Sequence, residues 1–265
     1  MSAGHYPRSR WSQNFLHDRN AIERLVATID PRSQQAIVEI GPGQGALTRP
    51  LLERAEALTA IEVDKDLAES LADWPGLAII QSDSRQVDLS ALARAKGQPL
   101  RLVGNLPYNI TTPLLFHALA HSAVITDMHF LLQAEVVQRL SATPGSRDYG
   151  RLSVMVQYRC HVEPLFRVAP GAFRPAPRVT SQLVRLVPYA EPPVRVRDEA
   201  AFETIVAHAF GQRRKTLRNA LRPLLDATAI SAAGVSPGER AEQLGLAEFA
   251  ALADAYYEQH STELR

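Results

Sequence analysis

The chain has 265 residues, 46% of them hydrophobic, enough for one large core or two unequal ones and too few for three ordinary domains. Its 29 basic and 28 acidic residues nearly cancel, so neither disorder driven by self-repulsion nor a uniformly basic nucleic-acid binder fits the totals, though local patches survive such averaging. Cys160 is the single cysteine, which excludes an intrachain disulfide and a thiolate zinc cage built by this chain alone, and suits a reducing cytosol. The opening MSAGHYPRSRWSQNFLHD is polar, and no run of roughly 18 apolar residues follows, so a cytoplasmic protein without membrane spans is expected.

Ile22, Leu25, Val26 and Ile29 stand at helical spacing after Asp18, a candidate cap, and predict a helix over 20–29 that Pro31 ends. Next come a strand over 36–40, the turn GPGQG and a helical pattern over 46–58. A strand over 58–63 leads to a helix over 66–72, and further strands are expected at 77–80, 100–103 and 128–132 with helical segments between them. Strands alternating with helices predict a doubly wound α/β sheet, mostly parallel, whose ligands sit beyond the carboxyl ends of the strands. Two later strands are expected at 152–158 and 182–186, on either side of a proline-bearing loop over 168–179, forming a hairpin at the sheet edge. After Pro188 the texture changes: EPPVRVRD (191–198) reads as a linker, and Phe202, Ile205, Val206, Ala209 and Phe210 keep helical spacing. The expected organisation is an α/β domain over 1–189 and a small helical domain over 190–265.

Gly41, Gly43 and Gly45 form GxGxG, which differs from the dinucleotide fingerprint GxGxxG in the place of its third glycine. Such a strand-to-helix turn lets a ligand approach the backbone. Glu62 lies about 20 residues farther on, at the end of the second strand, where a carboxylate accepts from ribose hydroxyls; Asp64 is a rival for that role. Asp83 follows the third strand and suits an adenine amine. Together these strand ends point to an adenosine-containing cofactor. A nicotinamide oxidoreductase is disfavoured by the glycine spacing and by the lack of a hydride-transfer constellation.

After the fourth strand comes GNLPYNITTP, with Asn105, Leu106, Pro107 and Tyr108 at the same rim. The exocyclic amine of adenine is a poor nucleophile because its lone pair is delocalised, so catalysis needs acceptors that hold its hydrogens and draw it toward tetrahedral geometry. The amide oxygen of Asn105 is one such acceptor. Pro107 restricts its predecessor and so aims the Leu106 carbonyl as a second, while Tyr108 offers a face for stacking. The eight histidines show no HExxH or other ligand spacing, and no metal is expected.

SQNFLHD (12–18), VEIGPGQGALT (38–48), IEVD (61–64), SDS (82–84), GNLPYNIT (104–111), YGRLSV (149–154) and FRPAPRVTS (173–181) closely resemble the ribosomal RNA adenine dimethyltransferase family. With QRRKTLRN (212–219) the likeness is to its bacterial small-subunit branch, KsgA (RsmA), and it spans nearly the whole chain in order. The resemblance implies a class I fold dependent on S-adenosylmethionine, with a Rossmann-like, mostly parallel seven-stranded sheet and a small C-terminal all-helical domain. It implies that Asn14 and Leu16 close over the cofactor, Gly41 approaches its methionine part, Glu62 holds the ribose, Asp83 holds the adenine, and Asn105 sits between cofactor and target. Tyr108 and Phe173 match positions that flank an extruded base. The implied reaction is dimethylation of the exocyclic amines of two adjacent adenosines in a loop near the 3′ end of 16S rRNA, within an immature 30S particle, by a monomer with no membrane partner. The chain departs from the branch at Trp11 and Ser12, usually phenylalanine and glycine, at Ser84, commonly alanine, and at Arg178, usually lysine.

An adenine must leave its stack to reach such a crevice, which is easiest in a loop or single strand. Arg213, Arg214, Lys215, Arg218 and Arg222 lie between Phe210 and Pro223 with no acid among them, and Arg214, Arg218 and Arg222 recur every fourth residue. On a helix they form one phosphate-binding stripe, which Arg8, Arg10, Arg174 and Arg178 extend. Competing readings are a macrolide-resistance type enzyme acting on large-subunit RNA, a DNA adenine methyltransferase, and a ribosome-assembly binding factor with secondary catalysis. The intact NLPY segment disfavours an inactive binder, and QRRKTLRN favours the small-subunit branch.

Overall fold

The structure is a computed structural model that describes residues 14–107, 110–212 and 214–262. Tyr108 and Arg213 lie outside the described residues, as do Arg8, Arg10, Trp11 and Ser12. In chain order, the first elements are β1 (Phe15–Leu16), α1 (Arg19–Ile29), β2 (Ala36–Ile40), α2 (Thr48–Ala55), β3 (Leu58–Glu62), α3 (Lys65–Leu71) and β4 (Leu77–Gln81). They are followed by α4 (Leu89–Lys96), β5 (Leu100–Asn105), α5 (Thr111–Ala120), β6 (Ile125–Gln133), α6 (Ala134–Leu140) and α7 (Arg151–Arg159). The rest are β7 (Cys160–Val168), β8 (Phe173–Arg174), β9 (Ser181–Pro188), α8 (Glu199–Gly211), α9 (Leu217–Ala220), α10 (Ala227–Ala232) and α11 (Leu246–Thr262).

The described residues fall into two compact units, one running to Val137 and resuming over Val162–Pro188, the other combining Gln138–His161 with the residues from Tyr189 on. The first unit is built on a seven-stranded sheet of order β4-β3-β2-β5-β6-β9-β7. Its strands pair in parallel from β4 to β6, and β9 runs antiparallel to β6. Every residue of β2 and β3 is buried, as expected where both faces of a parallel sheet are covered, which explains why AIVEI and LTAIE read as continuous apolar runs. The chain steps outward from β2 through β3 to β4, then crosses back to lay β5 on the other side of β2. That reversal opens a crevice at the carboxyl ends of β2 and β5.

Leu25, Val26 and Ile29 of α1 and Leu51 and Ala55 of α2 pack in one core with Ile37, Leu58, Ala60 and Val103. The Asp18 side chain caps α1 by accepting from the Ala21 amide at 2.7 Å, as the sequence predicts. Near the amino ends of the strands, Arg101 of β5 and its register partner Asp127 of β6 form a buried ion pair, Nε to Oδ1 at 2.9 Å and Nη2 to Oδ2 at 3.1 Å. Arg101 also donates to the carbonyls of Ile29 and Asp30, so one side chain fastens the end of α1 to two strands.

In the second unit α8 buries Phe202, Ile205, Val206 and Ala209, matching the predicted spacing, and Asp198 caps it through the Ala201 amide. Tyr158 of α7 packs its ring 4.5 Å from that of Phe202, centroid to centroid, and Arg159 pairs with Glu199. Here the structure corrects the expected strand over 152–158, which is the helix α7. Its buried run Ser153, Val154, Met155, Val156, then Tyr158, is compatible with a strand or a buried helix on apolarity alone. The strand is the next segment, β7, where Pro164 is tolerated because β7 is the edge of the sheet. For the same reason the expected single boundary near 190 is interrupted: 138–161 joins the second unit by packing α7 on α8. The basic run does not form one helical stripe either. Arg214 precedes α9, which covers only Leu217–Ala220, and Arg222 follows it in a turn. Leu217 and Arg218 donate their amides to the carbonyls of Glu239 and Pro237, bonds that tie this turn to a neighbouring loop.

Candidate active site

Asn14, Leu16, Gly41, Glu62, Asp83, Asn105, Leu106 and Pro107 all line one crevice beyond the carboxyl ends of β2–β5. Its floor is the GPGQG turn. The Gly41 amide donates to the Ile61 carbonyl at 2.9 Å, and φ is +67°, a conformation that strains any side chain; a Cβ at this position would meet nothing within 4 Å, so the backbone stays bare. At Gly104 the need is different, because a Cβ would stand 2.6 Å from the Ile40 carbonyl oxygen, and β5 could not lie so close to β2.

Glu62 is 4% exposed. Its Oε1 accepts the Asp64 amide at 2.9 Å and its Oε2 accepts the Gly43 amide at 3.2 Å, so the carboxylate also organises the glycine turn. Burial raises its pKa above the ordinary value, against the opposing pull of those amides. Of the two acids left open by the sequence, Glu62 lines the crevice, while Asp64 caps α3 by accepting from the Asp66 amide at 3.0 Å. Asp83 caps the short 3₁₀ turn Ser84–Gln86 through the Arg85 amide, and the Arg85 guanidinium grips the same carboxylate, holding its pKa below the ordinary range.

Asn105 ends β5. Its Nδ2 donates to the Asn14 carbonyl at 3.0 Å, which fixes the donor end of the amide and leaves Oδ1 as an acceptor at the crevice wall. The following turn is anchored on two sides, by the Leu106 amide on the Leu131 carbonyl at 3.2 Å and by Thr111 Oγ1 on the Pro107 carbonyl at 3.1 Å. The arrangement presents polar acceptors at a narrow apolar rim and buried carboxylates farther along, a geometry that suits holding an adenosine-bearing group beside an amine.

Phe173 does not reach this crevice. It is 2% exposed, pairs with Leu16 across the β1-β8 ribbon and packs in the apolar core with Val168 and Ala172, because burial of a whole ring outweighs its presentation to solvent. Arg214, Lys215, Arg218 and Arg222 are exposed residues of the second unit. Two charged lining residues escaped the sequence reading, Glu39 and Arg85. Glu39 is buried in the middle of an otherwise apolar strand just before the glycines, and burial, with Glu62 nearby, pushes its carboxyl up to about 7. An acid inside AIVEI was the available signal for it.

Comparison with known proteins agrees with this geometry. The pattern of the ribosomal RNA adenine dimethylase family matches residues 4–258. The chain is 54% identical over 254 residues to ribosomal RNA small subunit methyltransferase A of Pseudomonas aeruginosa, covering 94% of each, and 50% identical over 259 residues to that of Hahella chejuensis, covering 96% of this chain and 94% of the relative. Among solved structures, the 23S rRNA methyltransferase ErmE superposes with a TM-score of 0.67 at 27% identity, covering 92% of this chain and 100% of its own. A dimethyladenosine transferase from Plasmodium falciparum shares the fold, with a TM-score of 0.74 at 20% identity over 93% of this chain and 98% of that one. The strand order is that of the class I methyltransferase fold. On these grounds the chain belongs to the ribosomal RNA adenine dimethylase family.

Proposed function

We propose that this protein uses S-adenosylmethionine to dimethylate the exocyclic amines of two adjacent adenosines near the 3′ end of small-subunit (16S) rRNA in an immature 30S particle. The observation that carries the reading is the position of Asn105, anchored to Asn14 and lining the same crevice as Glu62, Asp83 and the bare Gly41 backbone. Identity of 50–54% to proteins named for the small subunit, against 27% to the large-subunit enzyme ErmE, favours the former substrate.

When bound, S-adenosylmethionine supplies an electrophilic methyl carbon on a sulfonium. The residues fit such a cofactor: Glu62 would accept from the ribose hydroxyls, Asp83 from the adenine amine, and the Gly41 backbone leaves room for the methionine part. Asn105 Oδ1 and the Leu106 carbonyl would hold the hydrogens of the target amine and stabilise the positive charge that grows on its nitrogen as the bond forms, more than they stabilise the neutral ground state. Catalysis then consists chiefly of alignment, with no general base or metal assigned. Tyr108 would stack on the flipped base, and Phe173 would do so only after leaving its core position. Arg213, Arg214, Lys215, Arg218 and Arg222 would contact RNA phosphates from a loop and turns, not from a single helix face.

The test is incubation with a radiolabelled methyl donor and immature small subunits, large subunits, naked RNA or DNA, with and without a chelator, followed by nucleoside analysis. Dimethyladenosine in small-subunit RNA, undiminished by the chelator, is expected. Label confined to large subunits, or carried by another nucleoside, would overturn the assignment.

A further inference from the structure

The Leu106 carbonyl, the second acceptor for the target amine, belongs to a peptide bond that cannot be anchored through its own amide, because Pro107 has no N–H. Its direction has to come from the groups on either side. Upstream, the Leu106 side chain is buried and the Leu106 amide donates to the Leu131 carbonyl at 3.2 Å. Downstream, the Pro107 carbonyl accepts twice, from the Ile110 amide at 3.2 Å and from Thr111 Oγ1 at 3.1 Å.

Thr111 is the first residue of α5 and is 2% exposed. Leu106, Pro107 and Ile110 line the crevice and Thr111 does not, so its hydroxyl stands behind the wall. Helical threonines often donate to the carbonyl four residues back, a bond that stays within the helix and adds little. Here the carbonyl four residues back lies outside the helix, in the turn that carries the acceptors. The helix is a firm base for it: Leu114, Leu115 and Ala118 are fully buried, and the Leu114 amide donates to the Ile110 carbonyl at 2.9 Å. Ile110, at the cap position, has no side-chain cap bond, so the Thr111 hydroxyl supplies a side-chain link between this helix end and the turn. The pyrrolidine ring locks φ of Pro107 at about −65°. With that torsion locked and the Pro107 carbonyl held against α5, the plane of the Leu106–Pro107 peptide is set relative to the helix.

We propose that Thr111 is a positioning residue for methyl transfer, whose hydroxyl acts through the Pro107 carbonyl to aim the Leu106 carbonyl at the target amine. The proposal rests on the reading of this protein as an adenine methyltransferase and adds to it a residue that touches neither cofactor nor substrate. A misaimed acceptor costs rate more than binding, since charge on the amine nitrogen grows only as the new bond forms. Loss of the hydroxyl still leaves the Pro107 carbonyl the Ile110 amide, so no buried acceptor is orphaned and the fold should stand.

The experiment compares the unaltered chain with Thr111→Val and Thr111→Ser in single-turnover methyl transfer to immature small subunits at saturating cofactor. KM for the particle, S-adenosylhomocysteine affinity by calorimetry and melting by circular dichroism are measured alongside. Thr111→Val keeps the shape and loses the hydroxyl, and its rate is expected to fall roughly tenfold or more, since misplacement by about 1 Å can cost about 10²-fold. KM, S-adenosylhomocysteine affinity and melting temperature should stay near the wild-type values, and Thr111→Ser, which keeps the hydroxyl, should recover most of the rate. Should Thr111→Val melt below the assay temperature, Thr111→Ala is read in its place against the same serine variant. A wild-type rate in the folded variant overturns the role. So does an equal loss in the valine and serine variants, or a rate loss matched by losses of cofactor affinity and stability, which marks a residue that only supports the fold. If the unaltered chain transfers no methyl group to adenosine, the methyltransferase reading itself falls and takes this proposal with it.

Discussion

Arg85 lies across both carboxylate oxygens of Asp83, with Nε 3.0 Å from Oδ1 and 3.2 Å from Oδ2 and Nη2 2.5 Å from Oδ2, while the Arg85 amide takes Oδ1 at 3.0 Å. The roughly four acceptor sites of the carboxylate are thereby used. A bound adenine amine must displace one of these bonds, so Arg85 competes with the cofactor for the residue expected to hold it. The pair is partly exposed, 43% for Arg85 and 22% for Asp83, which limits the competition to about 0.2–1 kcal/mol. Arg85→Ala is therefore predicted to tighten S-adenosylhomocysteine binding in calorimetry by up to about fivefold, and Asp83→Asn to weaken it. Weaker binding by Arg85→Ala would make Arg85 a support for Asp83 and not a rival of the adenine.

Asn105 is the link between the N-terminal segment and the rim of the sheet, through its 3.0 Å bond to the Asn14 carbonyl. Asn105→Ala removes an acceptor for charge developing in the transition state, an effect of roughly 10² to 10³ in rate where one such group is lost. Single-turnover methyl transfer is predicted to fall by at least that factor while the melting temperature changes little, since the side chain sits at the rim of the sheet and not in its core. Near-normal turnover in the variant would remove Asn105 from the mechanism.

Glu39 joins burial to an unpartnered Oε2. Its pKa of about 7 stands above the ordinary 4.5, so the folded state holds this proton more tightly than the unfolded chain. The contribution to stability is full below pH 4.5, is lost as the pH rises to about 7 and stays lost above it. The raised value corresponds to about 3 kcal/mol at 1.36 kcal/mol per unit. Glu39→Gln is predicted to abolish this slope in denaturant midpoints and to stabilise the ligand-free protein above pH 7. A wild-type midpoint flat between pH 4.5 and 8 would contradict the assignment.

The parallel half of the fold was legible because its short apolar strands alternate with helical patterns and Asp18 marks the start of α1, which it caps; Asp64 and Asp88 cap α3 and α4, a signal the sequence reading did not use. Crevice residues were legible for a related reason: every one expected there and described, apart from Phe173, follows a strand or lies in the arm segment, and topology alone gathers strand ends. The buried place of Phe173 was not legible because it depends on the β1-β8 ribbon, a pairing of residues far apart in sequence that no local pattern reveals. The helix α7 was mistaken for a strand because five of its nine residues are buried, which hides the period of 3.6. The stripe at 214–222 failed through tertiary override, where the carbonyls of Glu239 and Pro237 take amides that a helix continuing from α8 would keep.

Asp127 tests the opposite end of the sheet. Burial pushes its carboxyl up, but the facing His129 ring and the Arg101 guanidinium outweigh it and hold the pKa at about 2, below the ordinary 3.8. The resulting stability, about 2 kcal/mol at 1.36 kcal/mol per unit, is present above pH 3.8 and disappears as the pH falls through 2. Asp127→Asn leaves Arg101, with its side chain 10% exposed, as a buried cation whose remaining bonds run to neutral oxygens of Ile29, Asp30 and Gln35. Loss of one partner of such a pair costs about 3 kcal/mol or more, so the variant should melt several degrees lower at pH 7, the gap narrowing as the pH drops toward 2. Because this pair fastens α1 to β5 and β6 far from the crevice, cofactor affinity at 25 °C should stay near the wild-type value. A variant as stable as wild type at pH 7 would mean that the ion pair is replaceable by neutral hydrogen bonds and does not hold α1 in place.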